Sequence, residues 1–325
     1  MALELRYNKS MINLSDIQAA AGRIAPYVRR TPLLAAKPLR SGMAGDWSLY
    51  LKLENLQITG SFKARGAINK LLTLEAETGG ELPGLVTASG GNHGLGVAYA
   101  GWVRSKPATI LLPETTPASK AHKIATWGAK VIYWGQVWDE ANVAALKLAE
   151  RKGLAYFHPF ADPAVIAGQG TIGLEIMEDA PDLDTLLVAI GGGGLMAGIS
   201  QAVKSINPQV RMIGIEPVGA PTLYESLKAG EVVELPGIQT SVGTLAPRKS
   251  DQLNFDIIRQ NVSEIVLVSD EEMAQAQEWL WTELGIASEL AGTAAIAALL
   301  TGKVQPEPGQ RIGVVICAAN ADIHF

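Results

Sequence analysis

Three consecutive times between Leu85 and Gly153, a short apolar run passes through a turn of glycine, proline or small polar residues into a stretch of helical periodicity. The runs are Leu85–Ala88, Ala108–Leu112 and Ala129–Trp134, and the helical stretches behind them are Leu95–Arg104, Ser119–Trp127 and Asp139–Lys152. Strands separated by helices cannot pair as hairpins; they line up in parallel, with the helices on the faces of the sheet. The second half repeats this grammar. Buried strands are expected at Thr185–Ile190, Val210–Ile215, Ile265–Val268 and Arg311–Cys317, with helices at Pro163–Ala180, Leu195–Ile206, Leu223–Ala229, Asp270–Leu284 and Ala291–Leu300. Ser269 is placed to cap the Asp270 helix. Leu14–Val28 reads as a helix with Ser15 or Asp16 as its N-cap, and Glu231–Ser250, rich in Gly, Pro and Thr, reads as a loop. The chain is therefore expected to be an α/β protein with parallel-rich sheets flanked by helices.

A chain of 325 residues, 48% apolar, can bury cores for two lobes. Its net charge of −5 comes without a basic stripe, which argues against a nucleic-acid partner. Residues Met1–Met11 lack the apolar core of a secretion signal, and no apolar run reaches the roughly 18 residues of a membrane span. One cysteine, Cys317, leaves no internal disulfide, and the four histidines form no metal-ligand spacing, so a cytoplasmic protein is expected.

In open parallel sheets, ligands bind beyond the carboxyl ends of the strands. Three turns of glycine and small residues stand at such ends: Ser89-Gly90-Gly91-Asn92-His93-Gly94, Gly191-Gly192-Gly193-Gly194, and Cys317-Ala318-Ala319-Asn320. Four glycines ahead of a helix present bare backbone N–H groups at the positive end of its dipole, which makes a phosphate cradle; packing alone would also account for such a turn. A further turn, Thr59-Gly60-Ser61-Phe62-Lys63-Ala64-Arg65-Gly66, surrounds one lysine. Desolvation of Lys63 would lower its pKa and free its lone pair for Schiff-base chemistry; eight residues alone equally describe a solvated charge at a helix start. A rival reading comes from Gly192, Gly194 and Ala197, which fit the dinucleotide pattern G-x-G-x-x-A, with Glu216 standing where a ribose-binding acid belongs. That nicotinamide oxidoreductase reading leaves Lys63 and the Ser89 turn without a role.

Taken together with Val165-Ile166-Ala167-Gly168-Gln169-Gly170-Thr171, these motifs resemble the threonine dehydratase and serine racemase branch of the fold type II pyridoxal-phosphate enzymes, over essentially the whole chain. The resemblance implies a two-lobed, tryptophan synthase β-like fold: a large cofactor-binding domain from residues 1–83 and 157–325, and a small mobile domain at 84–156. It further implies a homodimer and pyridoxal 5'-phosphate held as a Schiff base by Lys63. Phe62 would lie against the cofactor ring, Asn92 would bond its 3-hydroxyl, Gly191 to Gly194 would hold its phosphate, and Cys317 would face its pyridine nitrogen. Ser89, Gly90, Gly91 and Asn92 would bind the substrate carboxylate. A thiol cannot hold the pyridine nitrogen protonated as a carboxylate would, which weakens the electron sink and favours prompt β-elimination.

The implied reaction is α,β-elimination from a β-hydroxy-α-amino acid to a 2-oxo acid and ammonia. Threonine, serine, 3-hydroxyaspartate and phenylserine all remain open as substrates, and a racemase or a β-replacing synthase on the same cofactor is the alternative. Racemases of the branch carry a serine where this chain has Gly90, and an asparagine where it has Phe160, which favours elimination. The divalent-cation loop of the family reads here Glu216-Pro217-Val218-Gly219-Ala220-Pro221-Thr222. Glu216 and Ala220 are the candidate ligands, but Thr222 replaces an expected acid, so tight Mg²⁺ or Ca²⁺ binding is not expected. The segment Thr240–Leu245 also lacks an acid that relatives carry. His93 is read as a structural hydrogen-bonder and Trp102, Trp127, Trp134 and Trp138 as core. With the sequence stopping shortly after Asn320, no C-terminal regulatory domain is expected.

Overall fold

The structure, a computed structural model, describes residues 12–37, 43 and 45–320. The stretch read for a secretion signal, 1–11, lies outside them. The strands are β1 (Leu33–Ala36), β2 (Ser48–Lys52), β3 (Leu85–Ala88), β4 (Ala108–Leu112), β5 (Lys130–Tyr133), β6 (Ala155–Tyr156), β7 (Thr185–Ala189), β8 (Arg211–Pro217), β9 (Glu264–Val268) and β10 (Arg311–Val315). The helices are α1 (Leu14–Ile24), α2 (Lys63–Glu77), α3 (Asn92–Val103), α4 (Ala118–Ala125), α5 (Trp138–Lys152), α6 (Pro163–Asp179), α7 (Gly194–Ile206), α8 (Thr222–Ala229), α9 (Gln252–Asn261), α10 (Asp270–Leu284) and α11 (Leu290–Leu300).

They form two sheets. One has four strands in the order β5-β4-β3-β6, all parallel. The other has six in the order β1-β2-β10-β7-β8-β9, parallel except where edge strand β1 runs antiparallel to β2. The α/β class with parallel-rich sheets follows from the strand–helix alternation, because a parallel neighbour needs a crossover. Helices cover both faces, so β3 and β7 are buried along their whole length and read as continuous apolar runs rather than alternating ones.

Helix α2 serves both halves. Ala64, Ala67, Ile68, Leu71 and Leu74 join the core beneath the four-stranded sheet with Leu85, Val97, Ile110 and Phe157. Its other side faces α6, where Asn69 Nδ2 donates to Ala164 O at 2.7 Å and Lys70 pairs with Asp162 at 2.6 Å. The contact with α6 is made backbone to backbone. A β-carbon at Gly66 would come within 2.8 Å of Val165 O, and one at Gly168 within 2.7 Å of Arg65 O. Helix α6 meets α7 the same way: a β-carbon at Gly170 would lie 2.9 Å from Gly198 O, and one at Gly173 2.9 Å from Ile199 O. The glycines of the Val165–Thr171 motif thus let three helix axes approach closely.

A neutral cluster of four charges is buried behind α2. Arg65 grips Glu54 with Nε and Nη2 (2.9 and 2.8 Å) and Glu175 with Nη1 and Nη2 (2.6 and 2.9 Å), and Lys52 Nζ adds a bond to Glu175 at 2.5 Å. The cluster ties β2, the turn after it, α2 and α6 together.

The structure differs from the sequence reading at several points. Helix α3 starts at Asn92, not Leu95, so Asn92 and His93 occupy its first turn. Strands β1 and β6 and helix α9, capped by Asp251, were not foreseen. The Glu231–Ser250 segment is largely irregular but contains a 3-10 turn at Gly243–Leu245. Three of the four tryptophans read as core are not: Trp102 and Trp134 are 59% and 57% exposed and Trp138 is 38% exposed, whereas Trp127 is half-buried and packs against the core beneath the four-stranded sheet. Trp102 ends α3 at the surface in an aromatic cluster with Tyr99 and Trp127. Trp134 follows β5, an edge strand that no neighbour covers, and Trp138 is held at the rim by its Nε1 bond to Ala88 O at 2.8 Å. No described helix is long and apolar enough to cross a membrane.

Candidate active site

Lys63 opens α2, directly after a turn in which Thr59 and Gly60 take left-handed φ values of 67° and 74°. The turn is pinned to the end of β10: Phe62 N donates to Cys317 O at 3.2 Å, Ala319 N to Gly60 O at 2.9 Å, and Asn320 Nδ2 to Thr59 O at 2.9 Å. The lysine and the Cys317 turn are therefore neighbours although 254 positions separate them in sequence. Lys63 Nζ lies 5.0 Å from the centre of the Phe62 ring and donates to Pro159 O at 2.6 Å. Burial pushes its pKa down from 10.5 to about 8. No carboxylate pairs with it, so the amine loses its proton far more readily than a surface lysine does.

The tetraglycine turn follows β7 and feeds α7. The N–H groups of Gly191, Gly192 and Gly193 donate to no acceptor among the described residues, and that of Gly194 begins the helix, where no intrahelical partner exists. A side chain would not fit here. Gly193 has φ +94°, a β-carbon at Gly191 would sit 2.9 Å from Thr244 O, one at Gly194 2.6 Å from Phe160 O, and one at Gly192 would run into the Phe160 ring. Asn254 Nδ2 and Ser250 Oγ hold the Gly192 carbonyl at 2.8 and 3.0 Å, which fixes the plane of the Gly192–Gly193 peptide. Pro159 and Phe160, adjacent in sequence, thus touch the lysine amine and the glycine turn respectively. A free lysine, a row of unpaired amides at a helix N-terminus and an apolar ring between them suit a phosphorylated aldehyde such as pyridoxal phosphate.

Around this centre the other site residues take their places. Cys317 is buried with Sγ 3.6 Å from Ala291 O, and burial pushes its thiol well above the usual range, so it stays neutral. His93 Nε2 faces Phe157 O at 3.0 Å, and burial pulls the ring down to about 3, which leaves a neutral structural hydrogen bond. His158, pulled down to about 4 mainly by burial, accepts at Nδ1 from the amides of Phe160 and Ala161 at 3.3 and 2.8 Å. In the Ser89 turn, Ser89 Oγ accepts from Gly91 N at 3.3 Å.

The Asn92 side chain is held by two partners: its Nδ2 donates to Glu289 Oε1 at 2.8 Å and its Oδ1 accepts from Asn320 Nδ2 at 2.5 Å. Glu289, which sequence reasoning missed, is buried at the residue before α11, and burial raises its pKa against the opposing bond from Asn92. Asn320 in turn accepts from Lys123 of α4. The Gly90 and Gly91 backbones are covered by two threonines. A β-carbon at Gly90 would meet Thr116 Cγ2 at 2.8 Å and Oγ1 at 3.1 Å, and one at Gly91 would meet Thr244 Cγ2 at 3.7 Å.

Glu216 and Ala220 lie away from this cluster. The Glu216 carboxylate accepts from Leu223 N and Tyr224 N at 2.9 and 2.8 Å, capping α8, and burial pushes it up to about 8. Ala220 O accepts from Thr222 N at 2.9 Å. Both oxygens of Glu216 are committed inside the loop, which counts against a ribose-binding role. Among the described residues no three His, Cys, Asp or Glu side chains gather where a metal ion would sit.

Residues 24–318 match the pyridoxal-phosphate dependent enzyme family. The L-threonine ammonia-lyase of Thermotoga maritima is 42% identical over 315 residues, 97% of this chain and 77% of that protein. A catabolic L-threonine dehydratase of Staphylococcus aureus is 36% identical over 96% of this chain and 90% of its own. The structure of maize serine racemase superposes with a TM-score of 0.90 at 32% identity, covering 97% of this chain and 95% of that one. With its strands, its lysine and its glycine turn in this arrangement and its sequence matched almost end to end, the chain belongs to the fold type II pyridoxal-phosphate dependent enzymes, in the branch of the threonine dehydratases and serine racemases.

Proposed function

We propose that the protein is an ammonia-lyase that removes water from a β-hydroxy-α-amino acid, threonine or serine first, and releases a 2-oxo acid and ammonia. The observation that carries this is the coming together of a desolvated amine at Lys63, bonded to the Pro159 carbonyl, with the amides of Gly191 to Gly193, which have no acceptor among the described residues, the two linked by Pro159 and Phe160. The named activities of the relatives from Thermotoga and Staphylococcus support the same reading.

Pyridoxal phosphate, when bound, makes the α C–H bond of the substrate acidic. The chain's own residues do the rest. The Gly191–Gly194 amides would hold the phosphate, the Phe62 ring and the neutral Cys317 thiol would border the cofactor ring, and Lys63 would be the covalent tether. The Ser89–Asn92 turn orients the substrate carboxylate with the amides that begin α3. Lys63 Nζ, set free when the substrate amine takes its place and neutral in a useful fraction near physiological pH, would take the α-proton. The β C–O bond then breaks, the hydroxyl leaves as water after taking up a proton, and the enamine product hydrolyses to the 2-oxo acid and ammonia. Gly90, standing where racemases of the branch carry a serine, supplies no second proton-transfer group in that turn, which favours elimination over racemization. Movement of the 84–156 segment over the site would exclude water. The resemblance also supports a homodimer, which sedimentation tests, and a cytoplasmic setting. No divalent cation enters the reading.

The test begins with the absorption spectrum before and after borohydride, beside Lys63→Ala. A visible band that borohydride removes and the variant lacks supports the tether, and release of 2-oxo acid and ammonia from L-threonine or L-serine then tests the reaction. A cofactor-loaded protein that releases neither product refutes the lyase; products that appear only with added thiols turn the reading to a β-replacing synthase.

A further inference from the structure

Resting on the lyase reading above, the geometry points to Thr116 as a further substrate-binding residue, whose hydroxyl donates to the carboxylate of the amino acid seated on the Ser89–Asn92 turn. Strands β3 and β4 are parallel neighbours, with Ala88 opposite Leu111, so the turns at their carboxyl ends emerge side by side. The turn after β4 is pinned on its outer side. Glu114 N donates to Gly135 O at 2.8 Å, Gln136 Nε2 donates to Glu114 Oε2 at 2.6 Å, and Thr115 Oγ1 donates to Gln136 O at 3.2 Å. Thr116 N closes the turn on Pro113 O at 2.9 Å. Its side chain goes the other way, onto Gly90, with Cγ2 and Oγ1 at 2.8 and 3.1 Å from the position of a β-carbon there. That crowding gives a physical reason for glycine at position 90.

The Thr116 hydroxyl is half-buried and has no hydrogen-bond partner among the described residues, whereas Thr87 and Thr115 on the same two units both bond carbonyls. The side chains of the carboxylate turn itself are engaged in part, with the Ser89 hydroxyl proton still available to donate. Asn92 is committed to Glu289 and Asn320, and Ser89 Oγ already accepts from Gly91 N. A carboxylate bound there would meet backbone amides from α3, the Ser89 hydroxyl and, from the neighbouring unit, the unpartnered hydroxyl of Thr116. A single donor to a carboxylate changes affinity by about ten- to a hundredfold.

The experiment uses cofactor-loaded enzyme and reads amino-acid binding from the perturbation of the cofactor band, apart from turnover. The probes are L-alanine, which has no β-leaving group, and L-alaninamide, which lacks the carboxylate. Thr116→Val keeps the methyl on Gly90 and removes the donor; Thr116→Ser keeps the donor. The expected result is a Kd for L-alanine at least tenfold weaker in Thr116→Val and within about twofold of wild type in Thr116→Ser, with L-alaninamide equally weak in all three. Equal L-alanine binding by wild type and Thr116→Val overturns the assignment, as does an equal loss for alanine and alaninamide. Alanine binding with the expected dependence, but no ammonia from any β-hydroxy amino acid, upholds Thr116 and refutes the lyase. A wild type that carries the cofactor yet binds no α-amino acid overturns both.

Discussion

Lys63 sets the strongest quantitative expectation. Burial moves its amine from 10.5 to about 8. At pH 7 an ordinary lysine is neutral in about one molecule in three thousand, and one of pKa 8 in about one in ten, a gain of roughly 300-fold in nucleophile and base. When protein stripped of cofactor is mixed with pyridoxal phosphate in a stopped-flow instrument, the capture rate should climb tenfold per pH unit up to pH 7, bend near 8, and be flat by about 9.5. Phe62→Ala, which lets water reach the amine, should move the bend upward; Lys63→Ala should show no capture. The same proton has a consequence for stability. The folded protein releases it near 8 and the unfolded chain near 10.5, so the unfolded state binds more protons in that window and the contribution of the group rises with pH across it. The difference in urea stability between wild type and Lys63→Met should therefore change by about 3 kcal/mol between those limits. A capture rate that goes on rising tenfold per unit through pH 10 would refute the argument that burial tunes this lysine.

Three further expectations can be checked separately. Arg65→Leu strands the buried carboxylates of Glu54 and Glu175 with only Lys52 for compensation, and should cost about 3–5 kcal/mol in urea denaturation; a loss below 1 kcal/mol counts against the cluster as described. Gly193→Ala forces a β-carbon onto a backbone at φ +94° and against Leu223 at 2.9 Å, so the variant should lose cofactor on dialysis while keeping its far-UV circular dichroism. For Glu289 the sign is opposite to that of Lys63: its folded pKa is raised above 4.5, so its contribution to stability falls as pH rises from there through the folded value. Glu289→Gln should accordingly gain on wild type between pH 4.5 and 8 in the same urea assay, and a constant gap would count against a buried carboxylate with a raised pKa.

Much of this architecture is legible in the sequence because short apolar runs such as Leu85–Ala88 and Thr185–Ala189 are buried on both faces and stand between clear turns. The glycine turns are legible for the same reason, since only a strand end followed by a helix start gives four glycines that setting. What stayed hidden depends on distant partners. Glu289 meets Asn92 across 197 positions, and nothing local to either residue announces the pair. The bonds of Asn92 to Glu289 and Asn320 are likewise visible only in three dimensions. Trp102 and Trp134 misled because large aromatic residues are buried on average, while a helix end and an uncovered edge strand leave these two at the surface. Thr116 drew no notice in the sequence because its meaning comes from the glycine it covers.

The glycines of α2, α6 and α7 carry one more consequence. Lys63 begins α2, the tetraglycine turn begins α7, and α6 touches both through bare backbone. The span between Lys63 and the tetraglycine turn is thus gauged by main-chain thickness, which no rotamer change can adjust. Such a spacer has one length. Methyl groups added at Gly168 or Gly170 would push lysine and cradle apart by a fraction of an ångström without touching either, so activity could be lost through a mutation that alters no group at the reacting centre.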